Sequence, residues 1–116
     1  VYASEPCYRL RDYMRVQIKK RNLSNVKVLD GFVDNLPFED ETFDAVLSGH
    51  VIGDDYDKEI NEMLRVTKPG GWLIICNGDD EFKRKSPDTE LLKRGFEVFS
   101  HTSPSGGVIY NYRLRV

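Results

Sequence analysis

Apolar positions along this chain follow two alternating rhythms: short runs of apolar residues, as in buried strands, and longer stretches where they recur every three or four residues, as on one face of a helix. Val1-Tyr2-Ala3-Ser4-Glu5 reads as a strand that Pro6 ends, because proline cannot extend a ladder. From Cys7 to Arg21, the spacing of Leu10, Tyr13, Met14 and Ile18 predicts a helix with one apolar face. Arg9, Arg11, Arg15, Lys19 and Lys20 give it a solvated cationic face. Val26 to Asp30 is the next strand, and Gly31 opens a loop through Phe38. Phe43 to Ser48 is apolar enough to predict a parallel-sheet strand covered on both faces. Asp54 or Asp55 caps a helix with Tyr56, Ile60, Met63, Leu64 and Thr67 along its buried stripe. Lys68-Pro69-Gly70-Gly71 stops that helix and turns the chain into the strand Trp72 to Cys76. A loop from Asn77 to Ser86, a short helix from Pro87 to Arg94, a strand at Phe96 to Phe99 and a last strand at Val108 to Leu114 complete the order, the final two strands forming an antiparallel hairpin.

This alternation predicts one α/β domain over residues 1–116. Its architecture is a three-layer sandwich around a Rossmann-like, mainly parallel sheet with a C-terminal antiparallel hairpin.

Composition and charge narrow the function. The chain has 116 residues, 40% hydrophobic and 31% charged, which is ordinary for a globular domain able to bury a core without staples. With 17 Lys+Arg against 19 Asp+Glu, the net charge of −2 lacks the basic footprint of a nucleic-acid binder. The longest mainly apolar run, Trp72 to Cys76, is far too short for a membrane span. Cys7 and Cys76, in a chain without a signal-like segment, predict a reducing, cytoplasmic setting and no disulfide framework. The cysteines and histidines have no metal-ligand spacing, so no metal is expected, and Asp79-Asp80-Glu81 reads as an exposed acidic turn.

Ligands of open parallel sheets bind beyond the carboxyl ends of the strands. Those ends are Glu5, Asp30 to Asn35, Ser48 to Ile52, and Asn77 to Asp80. An acid closing an early strand can accept hydrogen bonds from both ribose hydroxyls of a nucleotide. Glu5 fits that role, and fits equally a carboxylate capping the helix that starts at Cys7.

Three blocks then resemble a known family. They are Asp34-Asn35-Leu36-Pro37-Phe38, Asp40-Glu41-Thr42-Phe43-Asp44-Ala45-Val46 and Glu62-Met63-Leu64-Arg65-Val66-Thr67-Lys68-Pro69-Gly70-Gly71. In this order and spacing they resemble the class I S-adenosylmethionine-dependent methyltransferases of the small-molecule, ubiquinone-biosynthesis-like (type 11) group. The resemblance implies methyl transfer from S-adenosylmethionine to a small-molecule acceptor. It places Glu5 at the cofactor ribose, Val33 and Asp34 beside the adenine, and Ser48, Gly49 and His50 along the donor and acceptor pocket, with His50 as the candidate base. At Phe32 the family often has an aspartate, so its ring is expected either to pack on the adenine or to join the core.

The family's first strand, with its acidic glycine-rich loop and following helix, has no counterpart here. In the family fold that strand lies between the strand ending at Glu5 and the strand Phe43 to Ser48, so both are expected to have open edges, through which a dimer or a partner chain could pair. The alternative is therefore a non-catalytic α/β interaction module or an inactive methyltransferase fragment.

Overall fold

The computed structural model describes residues 1–76 and 86–116. The elements are β1 (Tyr2–Ser4), α1 (Tyr8–Lys20), β2 (Lys27–Leu29), β3 (Phe43–Gly49), α2 (Tyr56–Val66), β4 (Thr67–Cys76), α3 (Thr89–Lys93), β5 (Glu97–Thr102) and β6 (Val108–Arg115). Their order matches the alternation of the apolar rhythms, and the expected loop from Asn77 largely lies outside the described residues.

The strands form two sheets. Among the described residues β1 pairs in parallel with β2 alone, while β3, β4, β6 and β5 lie side by side in that order. Within the larger sheet β3 and β4 are parallel, and β6 runs antiparallel to both β4 and β5. The antiparallel hairpin is as expected, and it adds its antiparallel pairs to the parallel pairs β1–β2 and β3–β4. Among the described residues β1 and β3 each have a single neighbour, and their free edges border one cleft.

The core lies under the larger sheet, where Ile60 and Met63 of α2 meet Leu73 and Ile75 of β4, Leu91 of α3, Phe96 and Tyr112. Tyr112 is fully buried. Its hydroxyl accepts from the Asp88 amide at 2.7 Å, and the Asp88 carboxylate accepts from the Tyr56 hydroxyl at 2.6 Å, so the start of α3 is tied to α2 and β6. A second apolar contact joins the two sheets at the amino ends of their strands. There the rings of Tyr2, Phe38 and Phe43 pack together with centroids 4.8–5.8 Å apart.

Three expectations are corrected. α1 buries no residue: Leu10 is 50% and Tyr13 62% exposed, because a two-stranded sheet is too narrow to cover the whole apolar face. β3 is not covered on both sides, and its Leu47 is 67% exposed. Finally, α2 ends at Val66. Thr67 already has extended geometry and pairs with Phe43, so β4 starts five residues before Trp72 with an irregularity in register. Gly70 has φ +79°, and a Cβ on Gly71 would lie 2.8 Å from the carbonyl oxygens of Asp44 and Lys68, so the paired glycines are needed for two different reasons.

Candidate functional site

A cleft of about 910 Å³ separates β1 from β3. Its walls contain Glu5, Phe32, Val33, Asp34, Ser48, Gly49 and His50, every candidate residue read from the sequence. Of the carboxyl-end residues considered there, Asp30 is turned away to pair with Arg11 at 3.1 Å, and Asn77 to Asp80 lie outside the described residues, as does the acidic turn at Asp79-Asp80-Glu81.

The Glu5 side chain accepts the Cys7 amide at 2.8 Å just ahead of α1, where no side chain caps the helix itself, and it also lines the cleft. Holding that amide leaves acceptor positions over, because a carboxylate has two oxygens and about four acceptor positions. Arg11 braces the same corner. Its guanidinium, with a side chain 13% exposed, donates to the carbonyls of Glu5 at 2.9 Å and Pro6 at 2.7 Å and reaches Asp30. It belongs to the structure of the strand ends and not to a solvated face.

Phe32 through Asn35 form a tight turn, with the Asn35 amide donating to the Phe32 carbonyl at 3.1 Å. The Phe32 ring is 62% exposed at the cleft, which removes it from the core. Gly31 lies behind it in a crowded position: a Cβ there would come within 2.5 Å of Ser4 Oγ and 2.8 Å of Pro37 Cδ.

On the opposite wall, β3 ends at Gly49, and His50 has φ +59°, a left-handed conformation uncommon outside glycine. Its amide donates to the Cys76 carbonyl at 3.0 Å. Such a conformation persists only where the surroundings impose it. Ser48 is buried and its hydroxyl has no hydrogen-bond partner among the described residues, a rare state for a buried polar group.

Two parts of the site escaped the sequence reading. Glu59 of α2 is 4% exposed and accepts from the amides of Gly53, Asp54 and Asp55 at 2.9–3.2 Å, shaping the loop that closes one end of the cleft. Its signal was present: Glu59 follows Tyr56 by three residues and precedes Met63 by four, which puts a carboxylate on the apolar stripe. Asp55 caps the same helix by accepting the Lys58 amide at 3.2 Å, and that bond holds its carboxyl below the usual range. The second part is the Glu62–Arg65 pair, which grips the loop from Leu36 to Asp40.

Electrostatically the cleft is one-sided. Among the described residues its lining contains Glu5, Asp34, Asp54, Asp55 and Glu59 but no Lys or Arg. Such a lining favours a ligand carrying positive charge.

An α/β domain with its cleft at the carboxyl ends of parallel strands is the class that the fold and site define. The chain belongs to the methyltransferase-domain family, whose sequence profile matches residues 1–75. It is 44% identical over 62 residues to a demethylmenaquinone methyltransferase of Geobacillus sp. (strain WCH70), covering 52% of this chain and 26% of that protein. With the demethylmenaquinone methyltransferase of Bacillus pumilus (strain SAFR-032) it shares 32% identity over 97 residues, 81% of this chain and 39% of the relative. The chain thus spans well under half the length of these relatives. Among solved structures, a SAM-dependent methyltransferase from Aquifex aeolicus superposes with a TM-score of 0.72 at 23% identity, covering 97% of this chain and 66% of that one.

Proposed function

We propose that this domain binds S-adenosylmethionine in the cleft between β1 and β3 and serves the transfer of its methyl group to a small-molecule acceptor. The observation that carries the reading is the gathering of Glu5, Phe32, Val33, Asp34, Ser48, Gly49 and His50 around one cleft lined by carboxylates. Family membership supports it. These residues suit the nucleoside half of the cofactor: acceptors for hydroxyls, an exposed ring face and a turn with free main-chain groups.

When bound, S-adenosylmethionine supplies an electrophilic methyl group on a positively charged sulfur. The chain's own part is binding and alignment. Glu5 accepts hydrogen bonds from the ribose hydroxyls while the Cys7 amide fixes its carboxylate. The main chain of Val33 and the side chain of Asp34 border the adenine, with the Phe32 ring as an apolar surface beside them. Gly49 leaves open space along β3, since nothing lies within 4 Å of where its Cβ would be. Orienting two reactants in this way can supply about 7–11 kcal/mol of a barrier, so no covalent intermediate is required. His50 at the rim takes a proton from an oxygen or nitrogen acceptor. The acceptor to try first is demethylmenaquinone, the compound named for the Geobacillus and Bacillus relatives.

Calorimetric titration of the chain with S-adenosylmethionine and S-adenosylhomocysteine tests this reading. A dissociation constant on the order of micromolar, weakened about tenfold or more by Glu5→Ala, is expected. Absence of binding by the wild-type chain overturns it.

A second reading rests on the free edges of β1 and β3, which suit the addition of an extended segment from another chain. In that case sedimentation shows concentration-dependent association, and Leu47→Lys at the exposed β3 position suppresses it.

A further inference from the structure

The loop that carries Phe32, Val33 and Asp34 into the cleft is held from outside the cleft. Glu62 Oε1 accepts the Leu36 amide at 2.8 Å, and Arg65 Nη2 donates to the Leu36 carbonyl at 3.2 Å, so this one residue is gripped through both of its main-chain polar groups. Arg65 Nη1 reaches the Phe38 carbonyl and the Asp40 carboxylate, each at 2.8 Å. The pair is also joined to itself: Arg65 Nε donates to Glu62 Oε2 at 2.8 Å and Nη2 to Oε1 at 2.7 Å. Neither residue lines the cleft, whereas Met63 and Val66 on the adjoining turns of α2 do. One helix thus presents apolar residues to the cleft and a charged fork to the back of its loop.

We infer that Glu62 and Arg65 are positioning residues for cofactor binding, which set the register of residues 32–38 against α2 so that the turn at Val33-Asp34 faces the cleft. The inference rests on the cofactor reading of that cleft. Three features make it a positioning device and not a surface ion pair. The contacts go mainly to main-chain groups, which fix the path of the backbone whatever the loop's side chains. The fork is planar and bidentate, a geometry that lysine cannot reproduce. And the two side chains are only 32% and 16% exposed, so competition from water is limited. The Tyr2, Phe38 and Phe43 rings hold the far end of the same loop, leaving the segment before Leu36 as the part that this clamp orients.

The experiment compares the wild-type chain with Arg65→Gln and Arg65→Lys by amide hydrogen exchange, urea unfolding and titration with S-adenosylhomocysteine. The clamp predicts that the Leu36 amide loses protection in both variants while amides of Ile60 and Ile75 keep theirs, and that affinity falls about tenfold in Arg65→Gln, with Arg65→Lys failing to restore it. Unchanged affinity in variants that have lost loop protection overturns the inference and leaves the cofactor reading standing. So does undiminished protection of Leu36. A wild-type chain that does not bind overturns the cofactor reading and this inference with it, and the two failures are therefore distinct.

Discussion

Gly31 shows how much of the site depends on a single missing atom. Ser4 Oγ donates to its carbonyl at 3.0 Å, which ties the end of β1 to the exit from β2, and the Pro37 ring closes over the same position. The serine hydroxyl can rotate away from a new Cβ, but the proline ring cannot. Gly31→Ala is expected to cost about 1–3 kcal/mol, the usual range for an overpacked position, measured as a shift in the urea midpoint. Glu62 gives a prediction in pH. The Arg65 side-chain hydrogen bonds, assisted by the Leu36 amide and opposed by partial burial, hold its carboxyl below the usual glutamate range. A group whose pKa is lowered by folding contributes stability that is complete above its unfolded value, about 4.3, and is lost as pH falls through the folded value. Asp44, Asp55 and Glu90 are shifted in the same direction by Lys58, Lys68, Lys93 and Arg94 and nearby amides, so the difference between wild type and Glu62→Gln is the proper readout. That difference should shrink as urea unfolding is repeated at pH values descending through the carboxylate range. A difference that stays constant would detach Glu62 from the loop.

Among the elements, α2 does more than pack. Its apolar stripe fills the core, its first turn shapes the cleft through Glu59, and its last turn holds the loop through Glu62 and Arg65. Glu59→Ala would leave the amides of Gly53, Asp54 and Asp55 without their acceptor. Each donor left buried without a partner costs about 1–3 kcal/mol, less wherever water reaches it. Urea unfolding of Glu59→Ala should therefore show a loss at least equal to one such bond, and Glu59→Gln, which keeps one acceptor oxygen, a smaller one. The helix was legible from its spacing and from Asp55, since period and cap are local. The place of Glu59 on the apolar stripe was legible too, but the loop partners of Glu59, Glu62 and Arg65 were not, because they lie four to twenty-nine residues away in sequence and only the fold brings them near.

For the molecule as a whole, the division into two sheets is the dominant feature. The Lys27 amide donates to the Val1 carbonyl and the Glu5 amide to the Leu29 carbonyl, so by alternation the main-chain groups of Tyr2 and Ser4 point away from β2 and toward the cleft. On β3 the His50 amide bonds to Cys76, which turns the Leu47 and Gly49 amides to the free edge. Hydrogen exchange should consequently alternate along β3, fast at Leu47 and Gly49 and slow at Ser48 and His50. Equal protection at all four would mean that the edge is paired. The sequence by itself determined the order of strands and helices and the residues at the strand ends, because hydrophobic period, proline, glycine and capping residues act over a few positions. The resemblance to the family also implied an open edge on either side of the cleft. Tertiary structure alone decided that Glu5 holds the Cys7 amide and faces the cleft together, that Phe32 stands outside the core, that Arg11 and Arg65 are braces, and that Leu47 lies bare. Those outcomes depend on which distant segments share a surface, and no local pattern encodes that.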